Sequence, residues 1–184
     1  MNMNSTTDRY GSFSIGMHWL MLLLLAAVYA CIELHDVAPR GSTLRAGLKT
    51  WHFMLGLSVF ALVFLRLAIR FTTASPRRDP AVAAWQYHLA GIMHGLLYAF
   101  LIVMPVLGWL TLSAGGKVIP FFGLELPALV SPDKALASQL KDLHETIGTA
   151  GYYLIGLHAA AALYHHYFVH DNTLRRMLPR RRKG

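Results

Sequence analysis

Charge is what this sequence has least of. Charged residues make up 14% of the chain and hydrophobic residues 55%, against the roughly 25% charged of an ordinary soluble domain. The shortage is also localised: residues 13–32, 50–65, 81–116 and 146–170 contain no Asp, Glu, Lys or Arg at all. About 20 mostly apolar residues cross a bilayer as a helix. The runs therefore predict an all-α integral membrane protein, a four-helix bundle with spans near 13–34, 47–70, 84–112 and 140–169. The second run is short, but Arg66 and Arg70 can extend it by snorkelling from its end. Cysteine is almost missing: Cys31 alone permits no intrachain disulfide and reads as a small packing hydrophobe. No small-residue cleavage site follows the first run, which is longer than the apolar core of a signal peptide, so it reads as a retained anchor. Internal repeats and low-complexity tracts are absent, and the length suits one domain over residues 1–184.

Acidic residues are scarce on one side only. Arg9, Arg66, Arg70, Arg77, Arg78 and the tail cations Arg175, Arg176, Arg180, Arg181, Arg182 and Lys183 fall on one face, with Asp8, Asp79 and Asp171 as its acids. The opposite face has Arg40, Arg45, Lys49, Lys117, Lys134 and Lys141, balanced by Glu33, Asp36, Glu125, Asp133, Asp142 and Glu145. Eleven cations against six, with the net charge of +8 wholly on the first face, put both termini in the cytoplasm by the positive-inside rule. The basic tail "LRRMLPRRRKG" beside a span reads as a topology signal facing anionic lipid, not as a nucleic-acid site. The outer connection over 113–143 is long and contains "IPFFGLELPALVSPD", whose aromatics and prolines suggest a segment at the membrane interface, or else a packed lid.

Histidine is what the apolar runs do contain. His18 falls near the cytoplasmic end of the first span and His52 near the outer end of the second. His144 opens the fourth span, and His158 lies fourteen residues deeper, roughly 21 Å along a helix and on the same face. The chain thus places His52 and His144 at an outer level, and His18 and His158 at an inner one. Ionisable residues inside spans usually mark function. Two imidazoles at each of two depths suit two haems, each iron gripped from both sides and left without an open position. Gly56 and Gly148, each four residues beyond its histidine, would make room for the macrocycle, though glycines also simply let helices approach. Zinc suits the pattern less, since a structural site gathers four ligands together. A proton or ion pathway and satisfied core histidines remain competing readings; no intramembrane carboxylate accompanies the histidines as a relay would need.

The stretches "SIGMHWL", "KTWHFMLG", "DLHETIG" and "YYLIGLHAAAALYHHYFVHDNTLRRMLPR" closely resemble the bacterial cytochrome b-561 family, in particular its di-haem, superoxide oxidase type. The resemblance covers all four spans and is weaker in the outer loops. It implies two b-type haems, one ligated by His18 and His158 and the other by His52 and His144. It also implies an oxidoreductase of the bacterial inner membrane that takes electrons from superoxide on the periplasmic side and passes them to ubiquinone. The short loops offer little docking surface, which argues that no protein partner is required. Two other functions stay open: a cytochrome b subunit of a hydrogenase or formate dehydrogenase type complex, and a haem-free transporter or proton channel.

The remaining candidates are read from position. Arg66, fourteen residues after His52, falls at the inner level and is a haem-propionate candidate. His94, on the cytoplasmic half of the third span, and His165, seven residues beyond His158, are quinone-contact candidates. His88, His166 and His170 read as interfacial and His35 as lying in an outer turn. Arg45, Lys49 and Lys141 are candidates for steering superoxide by a local positive field. Trp19, Trp51, Trp85 and Trp109 fall near span ends, as an aromatic belt would.

Overall fold

The computed structural model describes residues 9–73 and 82–178. Asp8, Arg77, Arg78, Asp79 and the tail from residue 179, which entered the charge count, lie outside the described residues. The fold is helical: α1 (Ser12–Val37), α2 (Thr43–Thr72), α3 (Ala84–Ala114) and α4 (Lys134–Tyr164), with a short antiparallel hairpin, β1 (Ile119–Phe121) and β2 (Leu124–Leu126), between α3 and α4. A π-helical turn, His165–Val169, and a 3-10 turn, Arg175–Met177, follow α4.

The helix starts have local causes. The Ser42 hydroxyl accepts from the Arg45 amide at 3.1 Å to open α2, and the Asp133 carboxylate accepts from the Ala135 and Leu136 amides to open α4. Gln86 reaches back to the Ala83 amide at the start of α3. The last turn of α3 ends at Gly116, whose φ of 60° only glycine adopts freely.

Three of the four helices, α1, α2 and α3, are long and apolar enough to cross a membrane. In α4 the uncharged stretch is diluted by Gly, Thr, Tyr and His, and six further residues at its start, from Lys134, are polar or charged in part. Sequence hydropathy therefore placed its beginning near 140, too late, because the Asp133 cap and not an apolar run begins the helix. The outer connection is likewise more ordered than expected. Phe122 and Gly123 take φ of 48° and 86°, the two left-handed positions of a tight hairpin turn.

Chain-adjacent helices pack together, α1 on α2, α2 on α3, and α3 on α4. Met21, Val59 and Val63 form one core cluster, bordered by Leu24, Val28 and Tyr98. A second, Leu57, Leu112 and Ile119, seats the hairpin over the ends of α2 and α3. Much of the outward face is apolar, with Leu23 66% and Phe71 82% exposed, which suits contact with lipid and not with water.

Candidate functional site

The histidines assemble in two groups, one toward the hairpin and one toward the C-terminal turn. On the hairpin side, His52 of α2 donates from Nδ1 to the Val28 carbonyl of α1 at 3.0 Å. With the proton held there, the lone pair is on Nε2, the arrangement by which metal-binding histidines are oriented. Its ring centre is 6.1 Å from that of His144 on α4, with the planes at 76°. Gly108 of α3 lies beside His144: a Cβ there would be 3.4 Å from the imidazole Cε1, in van der Waals contact.

On the tail side, His18 of α1 and His158 of α4 have ring centres 6.4 Å apart, with planes at 68°. His94 of α3 is 5.4 Å from His158. Arg66 of α2 places Nη2 3.1 Å from His18 Nδ1. Each of the four helices thus contributes one side chain to this cluster. The second terminal nitrogen of Arg66, Nη1, is buried without a hydrogen-bond partner among the described residues, so the guanidinium has a free donor for an anionic group. The two levels are separated by fourteen residues of unbroken α4, about 21 Å at the helical rise.

Two imidazoles on opposite sides of one iron, each about 2 Å from it, place their ring centres about 6 Å apart. The separations of 6.1 and 6.4 Å fit that span; the His94–His158 distance of 5.4 Å is short for it. A Cβ added at Gly16, Gly56 or Gly156 would meet nothing within 4 Å, which leaves space near both levels. Gly148 has closer neighbours. Met104 Cε lies 3.4 Å from its Cβ position, and its carbonyl accepts from Tyr29 Oη at 2.7 Å, so it is a point of helix contact. Among the described residues no group of three or more His, Cys, Asp and Glu is placed to hold a bare metal ion. Two histidines per level suit a cofactor that carries its other iron ligands with it.

The expected steering cations do not act alike. Arg45 donates from Nη1 to the carbonyls of His35 and Ala38, at 2.7 and 3.0 Å, and so staples the α1–α2 connection. Lys141 Nζ is 2.7 Å from Glu145 Oε1. Lys49 instead lines an open depression of about 400 Å³ together with Lys117, over Phe53, Leu112 and Pro120. Lys117 was visible in the sequence only as one of six outer cations.

At the other end, His165 Nδ1 is 2.6 Å from Asp171 Oδ2, and the Thr173 amide donates to Asp171 Oδ1 at 2.8 Å. Burial alone would push the Asp171 carboxyl up, but the Thr173 amide and His165 outweigh it and hold the group below the usual carboxylate range. Trp19 Nε1 donates to the Met177 carbonyl at 2.8 Å and ties this segment to α1. Trp109 does the same for the outer connection through Pro127, so these tryptophans fasten loops as well as marking helix ends. Sequence reading missed Asp171. The signal was there: one acid in a basic tail, in an Asp-Asn-Thr string that favours an Asx turn.

Comparison with known proteins shows the family. A family model described as prokaryotic cytochrome b561 matches residues 9–180. The chain is 38% identical to "Cytochrome b561 homolog 1" of Escherichia coli (strain K12), over 95% of this chain and 99% of that one. It is 36% identical to "Probable superoxide oxidase CybB" of Yersinia pestis, over 95% and 98%. With "Cytochrome b561 homolog 2" of Escherichia coli (strain K12) it shares 27% identity over 97% of its length and 95% of the relative's. The chain belongs to the prokaryotic cytochrome b561 family, membrane-embedded electron-transfer proteins built around b-type haem.

Proposed function

We propose that this protein carries two b-type haems, one between His52 and His144 and one between His18 and His158, and moves electrons from superoxide to ubiquinone. The observation that supports this best is the pair of imidazole separations, 6.1 and 6.4 Å, at two depths. On this reading the chain is a single-domain four-helix bundle in the bacterial inner membrane, α4 included, with both termini cytoplasmic and the hairpin periplasmic. The superoxide substrate is suggested by the name of the Yersinia pestis relative.

When bound, the haems supply one-electron transfer between two substrates that never meet. The protein's own residues do the rest. Val28 fixes the His52 tautomer. Arg66, with its unpaired Nη1, is placed beside His18 to meet a haem propionate. Lys49 and Lys117 form a positive depression on the hairpin side, which raises the encounter rate of a small anion. His94 and His165 stand at the tail-side end as quinone contacts.

A superoxide pulse onto the oxidised, detergent-purified protein, followed by stopped-flow at the haem bands, tests the reading. Fast, salt-sensitive reduction followed by reoxidation on adding ubiquinone is the expected result. A protein that dithionite reduces normally but superoxide does not would rule out superoxide as donor.

A further inference from the structure

The chain after α4 makes a compact turn whose centre is a buried carboxylate. Asp171 is 6% exposed. A carboxylate out of water is costly unless it is paired, and this one accepts from the Thr173 amide at 2.8 Å and from His165 Nδ1 at 2.6 Å. The backbone is arranged to put it there. His170 takes a left-handed φ of 59°, and the Asp171 amide returns to the His165 carbonyl at 3.2 Å. The Trp19–Met177 bond anchors the whole turn to α1, one residue beyond His18.

A purely structural turn does not need this charge. The Thr173 amide would be satisfied equally by an asparagine oxygen. A carboxylate holds the Nδ1 proton of His165 by a charge-assisted bond, stronger than one to a neutral acceptor, and so leaves Nε2 as the exchanging nitrogen. Neither neighbour is so placed: His170 Nδ1 meets the Phe168 carbonyl, and His166 Nδ1 is buried without a partner among the described residues. The His165 side chain remains 20% exposed, and it lies seven residues beyond His158, about 10 Å along the helix from the tail-side histidine pair.

We propose that Asp171 is the positioning residue of a proton-delivery dyad, in which His165 Nε2 gives a proton to a quinone oxygen at the tail-side end of the molecule. This rests on the quinone reading above. Conversion of quinone to quinol consumes two electrons, which on that reading come from the reduced haems, and two protons. At the oxygen facing His165, the Nε2–H bond breaks and a quinone O–H bond forms, while the proton for the opposite oxygen comes from water. The imidazole is left neutral, with its Nδ1 proton still donated to Asp171, and Nε2 is refilled from water at the membrane surface.

The test uses the full-length, haem-loaded protein reduced with stoichiometric dithionite and mixed with a short-chain ubiquinone, in H2O and in D2O. Wild type, Asp171→Asn, Asp171→Glu and His165→Gln are compared, with haem content and thermal midpoint measured on each. The expected result is that Asp171→Asn keeps its haem but is reoxidised roughly tenfold or more slowly, the scale of a general-acid contribution. Its solvent isotope effect rises, and Asp171→Glu restores most of the rate. An Asp171→Asn protein that holds its haem and matches wild type in rate and isotope effect overturns the proposal. If Asp171→Asn does not fold, His165→Gln decides: a wild-type rate overturns the dyad, and a slow rate with a raised isotope effect supports it. Wild type that quinone fails to reoxidise removes the quinone reading itself, which separates that failure from failure of the dyad alone.

Discussion

The imidazole of His52 reaches across from α2 to donate to the carbonyl of Val28 on α1, 3.0 Å away. That bond orients the ring toward His144, 6.1 Å off on α4. Three helices therefore cooperate at one level, and the tail-side level draws on all four. If each level holds one haem, then His52→Ala and His144→Ala should lose, or turn high-spin, the same haem. His18→Ala and His158→Ala should affect the other. Optical spectra of the reduced proteins, with redox titration of what remains, would reveal the pairing. A different grouping of losses, such as His94→Ala behaving like His158→Ala with His18→Ala silent, would reassign the tail-side ligand.

Arg66 places a buried cation beside His18. A positive charge near a redox centre favours its reduced form, so Arg66→Leu should lower the potential of the tail-side haem. A fall on the order of 60 mV would be a tenfold change in a one-electron equilibrium. Potentiometric titration checks this. Unchanged haem content, stability and potential would leave Arg66 as a snorkelling cation only.

Lys49 and Lys117 share the hairpin-side depression, whereas Arg45 is bonded to loop carbonyls. Lys49→Glu with Lys117→Glu should slow haem reduction by superoxide and flatten its dependence on ionic strength. Arg45→Ala should instead act on folding, by about 1–3 kcal/mol, the cost of leaving half-buried acceptors unmet. Stopped-flow at several salt concentrations, beside thermal unfolding, separates the two effects.

A side chain has no room at Gly151. A Cβ there would overlap Tyr29 Oη and the Phe100 ring, where α1 and α3 close on α4. Gly151→Ala should destabilise the protein by about 1–3 kcal/mol, as overpacking does, while Gly56→Ala, which meets nothing within 4 Å, should be far milder in the haem-free protein. If Gly56→Ala lowers haem content on the hairpin side, the open space beside it belongs to the cofactor.

Asp171 is held below the ordinary carboxylate range in the folded state. A depressed folded value means that its stabilisation is present above the unfolded pKa of about 3.9 and is lost as pH falls through the folded value. The difference in thermal midpoint between wild type and Asp171→Asn should therefore be steady near neutrality and shrink in acid below about pH 4. A difference that instead disappears as the pH rises from neutrality would reverse the assignment.

The long elements were legible because the physics that builds them is one-dimensional. Apolar runs of bilayer length mark α1, α2 and α3, and a fourteen-residue spacing puts His144 and His158 on one face of α4 wherever that helix sits. The helix start at Asp133 was legible too, but as a capping signal, and hydropathy looked past it. Other features depend on contacts between distant segments. Nothing local to Trp19 shows that it will bind the Met177 carbonyl, nothing around Lys117 shows that the hairpin will bring it over Lys49, and Gly148 resembles Gly56 until Met104 is in place.

Both histidine levels draw one residue from α4, since His144 pairs with α2 and His158 with α1. During synthesis α4 leaves the ribosome after α1, α2 and α3. A nascent chain with α1, α2 and α3 already inserted would hold His18 and His52 with no opposing imidazole at either level. On the two-haem reading, cofactor capture would wait until α4 has emerged, and both irons would be gripped in the same event. On that reading a product lacking α4 would be unable to retain either group and would be left open to proteolysis.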